Sequence, residues 1–149
     1  MMISACSNMF TASDKGGMTS GNEPITYTSD FRLKASFTYC IPFNGKGIHL
    51  NMPYFVEVRN DSIISYLPYI GRADYVPYGG GKGLDFEEPI QRFDGVYNAK
   101  RGCSTYYIEV RTNEDYHVYQ LEVFDKNGAV HLDVQSRQRD LIRFEGYKE

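Results

Sequence analysis

From Phe31 to Tyr39 the chain alternates without interruption. Phe31, Leu33, Ala35, Phe37 and Tyr39 fall on one side, and Arg32, Lys34, Ser36 and Thr38 on the other. Successive side chains of an extended chain point to opposite faces, so period two specifies a strand with one face in a core and the other in water. The pattern recurs. Tyr54, Val56 and Val58 oppose Phe55, Glu57 and Arg59, and Tyr106, Ile108 and Val110 oppose Tyr107, Glu109 and Arg111. Tyr119, Leu121 and Val123 oppose Gln120 and Glu122, Val130, Leu132 and Val134 oppose His131 and Asp133, and Ile142 and Phe144 oppose Arg143 and Glu145. Asn44-Gly45, Asn60-Asp61 and Asn127-Gly128 separate these runs, and such pairs accept the positive φ of hairpin turns. No stretch carries apolar residues at helical spacing over ten or more positions. The fold class is therefore all-β: an antiparallel meander that closes into a small barrel, with a β-sandwich as the alternative.

Composition agrees. The 149 residues suit one domain with its own core, and the 13 Tyr and 9 Phe favour strands. A net charge of −3 offers no broad basic surface for a phosphate backbone, so nucleic acid is not an expected partner. No apolar run approaches the length of a membrane-spanning helix.

Residues 25–149 are expected to form the single β domain, and residues 1–24 a flexible segment rich in Ser, Gly, Thr and Asn. Within that segment Ile3-Ser4-Ala5-Cys6 has the form of a lipobox, which makes Cys6 the candidate lipidation site and 1–24 a lipoprotein tether. Only two residues precede Ile3, so either a longer leader lies upstream or the match is chance. Cys40 and Cys103 read as isolated thiols, a disulfide between them being the less favoured alternative.

The stretch from Pro68 to Pro89 departs from alternation. It holds three prolines and the run Gly79-Gly80-Gly81-Lys82-Gly83, so we expect an ordered loop with a short strand near Leu84 to Phe86, then a weaker strand from Ile90 to Lys100 broken by Gly95. The glycine run is not a nucleotide loop. Val76 stands where the first glycine is required and Gly83 where Ser or Thr should follow the lysine. Tight turning is its plain role, and a small anion nest near Arg72 and Lys82 the alternative. Tyr66, Tyr69, Tyr75 and Tyr78 crowd the same region. They either seal one end of the barrel or line a cleft.

Other motifs carry less. His49, His117 and His131 each stand alone on a strand, with His117 in phase with the core-facing Tyr119 and His131 opposite in phase to Leu132. No metal site or cofactor is expected from them. Asp85, Glu87 and Glu88 form the densest acidic cluster. Paired carboxylates serve glycoside hydrolysis only at a set separation, so a solvated loop edge is the default reading. The Arg137 to Arg139 stretch reads as a wet turn.

Ser65-Tyr66-Leu67-Pro68-Tyr69 with Gly71-Arg72-Ala73, Pro77-Tyr78-Gly79-Gly80-Gly81 and Gly83-Leu84, together with Val123-Phe124, Asn127-Gly128, Val134, Ser136 and Arg139, resembles a family of small exported proteins of gut-type Gram-negative anaerobes, a domain of unknown function. The resemblance spans most of Phe31 to Gly146. It implies a lipocalin-like barrel, export, and frequent lipidation, hence a periplasmic or outer-membrane-anchored protein. It assigns no activity. The expected function is a non-catalytic binding module for a small apolar or glycan-like ligand, held by Tyr69, Arg72, Tyr78, Gly79, Gly80, Gly81 and Lys82. The alternatives are a structural or protein-interaction component of the cell envelope and, third, a hydrolase using the loop carboxylates. Expected partners are a small molecule or an envelope protein, with the membrane met only through the lipid anchor.

Overall fold

The computed structural model describes residues 22–43, 45–69 and 84–149. Their strands are β1 (Asn22–Ile25), β2 (Leu33–Pro42), β3 (Ile48–Arg59), β4 (Ser62–Leu67), β5 (Leu84–Asn98), β6 (Cys103–Arg111), β7 (Tyr116–Phe124), β8 (Ala129–Ser136) and β9 (Ile142–Lys148). Each strand from β2 to β9 pairs antiparallel with its neighbour in sequence, and β9 returns to pair with β2. The result is a closed, eight-stranded, up-and-down barrel of the lipocalin-like kind. β1 lies outside this ring and pairs with the last four residues of β5.

Alternation puts one apolar row per strand inside. Leu33, Ala35 and Phe37 of β2, Val56 and Val58 of β3, Ile108 and Val110 of β6, Leu121 of β7, Leu132 and Val134 of β8 and Phe144 of β9 are all buried. Phe37 and Phe144 meet across the β2–β9 seam with ring centroids 6.0 Å apart. Tyr27, Phe31, Phe93 and Tyr106 form a second aromatic group. Cys40 and Cys103 are free and buried, and burial pushes the Cys40 thiol up to about 11.

The two ends of the ring differ. One end carries tight turns. Asn60 and Asp61 both have positive φ (53° and 63°), the conformation a two-residue hairpin requires, and Gly128 follows at 71°. The other end carries the longer connections after β2, β4, β6 and β8.

Three expectations are corrected. Tyr39 does not face the core. Thr38 is an extra residue in β2, with Phe37 opposite Gly146 and Tyr39 opposite Glu145, so the phase slips by one and Cys40 turns inward. Gly146 accommodates this crowding, because a Cβ there would stand 1.9 Å from the Ser36 carbonyl oxygen. The short strand at Leu84–Phe86 and the weak strand after Ile90 are one fifteen-residue strand, β5. Pro89 fits inside it because it opposes Ser62 in a non-hydrogen-bonded pair, the neighbouring bond being Ile90 N–H to Asp61 O at 2.9 Å. Its missing N–H therefore falls on the edge away from β4. Finally, the Arg137–Arg139 stretch is not uniformly wet, since the Arg139 side chain is only 8% exposed. Among the described residues a strand already runs from Asn22 to Ile25, ahead of the expected start of the domain.

Candidate functional site

β5 has two neighbours but uses them in succession. Residues from Leu84 to Pro89 pair with β4, whereas pairing with β6 begins only at Ile90, opposite Val110. Gln91 is an extra residue at the changeover. β6 ends one residue past Val110, at Arg111. Beyond it the upper part of β5 has no strand partner on that edge among the described residues, and the barrel wall is open there. In antiparallel pairing, backbone groups point alternately to one neighbour and the other. The odd positions Asp85 and Glu87 therefore turn their N–H and C=O into this opening, and Pro89 only its C=O.

The opening is a notch of about 280 Å³ lined by Asp85, Phe86, Glu87, Glu88, Thr112, Asn113 and Glu114. Phe86 and Glu88 lie on the same face as their cross-strand partners Ser65 and Ile63, which are buried in the interior. Asp85 and Glu87 are exposed on the outer face. The Thr112–Asp115 connection is ordered by its own bonds. The Thr112 hydroxyl oxygen accepts the N–H groups of Glu114 (3.2 Å) and Asp115 (3.0 Å), and Thr112 N–H meets the Asp115 carbonyl at 2.9 Å.

Behind the notch lies a buried polar cluster. Ser65, Asp115, His117 and Ser136 are buried, and with Tyr119 they come from β4, β7, β8 and the connection before β7. Ser65 donates to the Leu84 carbonyl at 2.8 Å and so accepts from the Tyr119 hydroxyl at 2.7 Å. Burial raises the Tyr119 phenol above its ordinary value, partly opposed by the Ser65 bond. His117 Nδ1 meets Ser136 Oγ at 2.7 Å, and its ring stacks on Phe86 with centroids 5.5 Å apart and planes within 7°. Burial lowers its pKa to about 4, with the Asp115 carboxylate opposing the shift, so the imidazole is neutral at neutral pH. Its Nε2 is buried and has no hydrogen-bond partner among the described residues.

Asp115 is occupied structurally. Its carboxylate accepts the N–H groups of Tyr116 (2.7 Å), Arg137 (3.1 Å) and Gln138 (3.1 Å), tying the β6–β7 and β8–β9 connections together. Arg139 lies within 3.9 Å of Asp115 and 3.7 Å of Glu114, and its guanidinium covers the Tyr69 ring at 5.1 Å. The Tyr69 hydroxyl donates to the Asp140 carbonyl at 3.0 Å. Ser136, His117 and Asp115 are thus near one another without forming a nucleophile relay. Asp115 spends its oxygens on backbone N–H groups, and the serine meets the imidazole through Nδ1.

Of the residues expected to bind a ligand, Tyr69 sits at this end of the barrel, half-buried against Arg139. Arg72, Tyr78, Gly79, Gly80, Gly81 and Lys82 lie outside the described residues, as does Cys6. The acidic cluster is strand, not loop. The histidines occupy separate places. His117 is inside the barrel, His131 is on the outer wall beside Phe124, and His49 is beside Tyr39. Sequence reasoning gave no part in a site to Ser65, Asp115, Ser136 or Arg139, although Ser65, Ser136 and Arg139 stand in the motifs that carry the resemblance. Ser65 and Ser136 were findable, because Ser65 is in phase with Ile63 and Leu67, and Ser136 with Leu132 and Val134.

Among comparisons with known proteins, the model of one family, described as Domain of unknown function (DUF4251), matches residues 24–148. No curated protein and no solved structure matches the chain.

Proposed function

The chain belongs to the DUF4251 family of domains of unknown function, and from that premise we propose that the barrel is a non-catalytic binding module that takes a small glycan-like ligand at its notched end. The observation that carries the reading is the gap in the wall beside β5, where hydrogen-bonding side chains surround an aromatic ring. Glu88 and Glu114 offer acceptors for sugar hydroxyls, Asn113 a donor, and Phe86 an apolar face. The barrel interior is packed with fully buried apolar side chains, which favours a ligand at the wall over one in the lumen. Tyr69 and the segment carrying Arg72, Tyr78 and Gly79 to Lys82 belong to the same proposal, since that segment leaves from β4 and returns at β5 beside the gap.

Calorimetric titration with a panel of oligosaccharides and, separately, fatty acids tests this. A glycan should bind saturably, and Glu88→Gln with Asn113→Ala should weaken it at least tenfold while leaving the melting temperature unchanged. Saturable fatty-acid binding with no response to any glycan would sink the reading. A second reading is favoured by one feature. The backbone groups of Asp85 and Glu87 can accept an extended peptide as an added strand, making the edge a protein-interaction surface of the cell envelope. Photocrosslinking from position 87 in cells, unaffected by the glycan, distinguishes it. The same proposal carries Cys6 as a lipid anchor outside the cytoplasm, for which labelled fatty acid should be incorporated into the wild type and not into Cys6→Ser.

A further inference from the structure

The opposite end of the barrel holds a second concavity with different chemistry. The β5–β6 turn and the β7–β8 turn flank a groove of about 650 Å³, a volume typical of small-molecule sites. Its walls carry Lys100, Arg101 and Lys126, and its floor Phe124, Ala129 and His131. The two turns are fixed to each other, since Asp125 N–H donates to the Gly102 carbonyl at 2.9 Å. Gly128 in turn accepts from Lys148 N–H at 2.7 Å, anchoring the second turn to β9. The groove is therefore shaped before any ligand arrives, which removes part of the ordering cost of binding.

Its floor is aromatic. Phe124 and His131 meet edge to face with centroids 5.3 Å apart, and the Arg101 guanidinium stands 5.7 Å from the Phe124 ring. Arg101 is paired with Glu122 at 3.2 Å, whereas the Asp125 carboxylate accepts the Tyr97 hydroxyl at 2.6 Å and keeps its negative charge. Lys100 and Lys126 meet no carboxylate within ion-pair distance among the described residues, so the lining, with Lys100, Arg101 and Lys126 against Asp125, is net positive. In a chain of net charge −3 this is a local reversal of sign.

We propose that this groove is a second binding site, for a phosphate group carried on a ring or other apolar body. The phosphate would sit between the two ammonium groups, which act on it as point charges, and the apolar body would lie on Phe124. A soluble phosphate ester and a phospholipid headgroup share that chemistry. The site is independent of the notch, which it does not touch.

The test uses the full chain with three probes, namely phenyl phosphate, inorganic phosphate, and vesicles of phosphatidylglycerol against phosphatidylcholine. Amide resonances of Gly102 and of Asp125 to Gly128 should shift saturably with phenyl phosphate. Lys100→Gln with Lys126→Gln should weaken binding at least tenfold without moving the melting temperature, because both side chains are exposed. Binding to phosphatidylglycerol vesicles alone, lost in the double variant, assigns the phosphate to a lipid. Equal affinity for inorganic and phenyl phosphate overturns the role given to Phe124. No perturbation by any probe, or a double variant that binds like the wild type, overturns the site.

Discussion

His117 shows how one buried polar atom reports on its surroundings. The unfolded chain protonates it near the ordinary value of 6.5, whereas the folded barrel does so only near 4. Between those values the unfolded state holds more protons, so the stability contribution is full above pH 6.5 and is lost as pH falls towards 4. Going from pH 7 to 4.5 should therefore cost the wild type roughly 2–3 kcal/mol from this group. His117→Gln should lack that part of the loss, as read from urea denaturation at the two pH values. Identical pH slopes for the two proteins would remove this account. The cluster around His117 was legible in the sequence, though only by reading phase instead of residue type. Ser65, His117 and Ser136 each occupy a core position near the same end of their strands. Arg139 was not legible. No periodicity in a connection indicates that a guanidinium will be covered by Tyr69.

At the level of strands, alternation predicted faces correctly until an extra residue intervened. Thr38 and Gln91 shift register, and neither carries a local signal, because a bulge depends on what the neighbouring strand needs. Gly146 is the partner that makes the β2 irregularity possible. Gly146→Ala should lower stability by about 2–3 kcal/mol, as measured by chemical denaturation, since the added carbon meets backbone that cannot rotate away. Pro89 misled in an instructive way. It suggested a loop, yet its missing donor faces the edge that β6 never covers, so the same residue that fits the strand also marks where the wall opens.

For the molecule as a whole, the ring is completed by contacts far apart in sequence, β9 on β2. Removing β9 by ending the chain at Asp140 leaves two open edges and withdraws Ile142 and Phe144 from the core. That truncation should abolish cooperative thermal unfolding and the near-ultraviolet circular dichroism of the aromatic core. Removing residues 1–26 takes away, of the described strands, only β1, which lies outside the ring, and should leave both signals in place. The barrel class followed from the sequence because each strand of the ring pairs with its chain neighbour, a local rule that hairpin turns announce. The seam is announced by nothing local.

That seam has a further implication. Glu149 N–H donates to the Lys34 carbonyl at 2.8 Å, so the last strand of the ring leads out beside the place where the circuit of strands began. A cycle of hairpins closed in this way has no privileged origin. Joining the end of β9 to the start of β2 and cutting at any other hairpin tip would yield a circular permutant of the ring that threads the same walls in a different order.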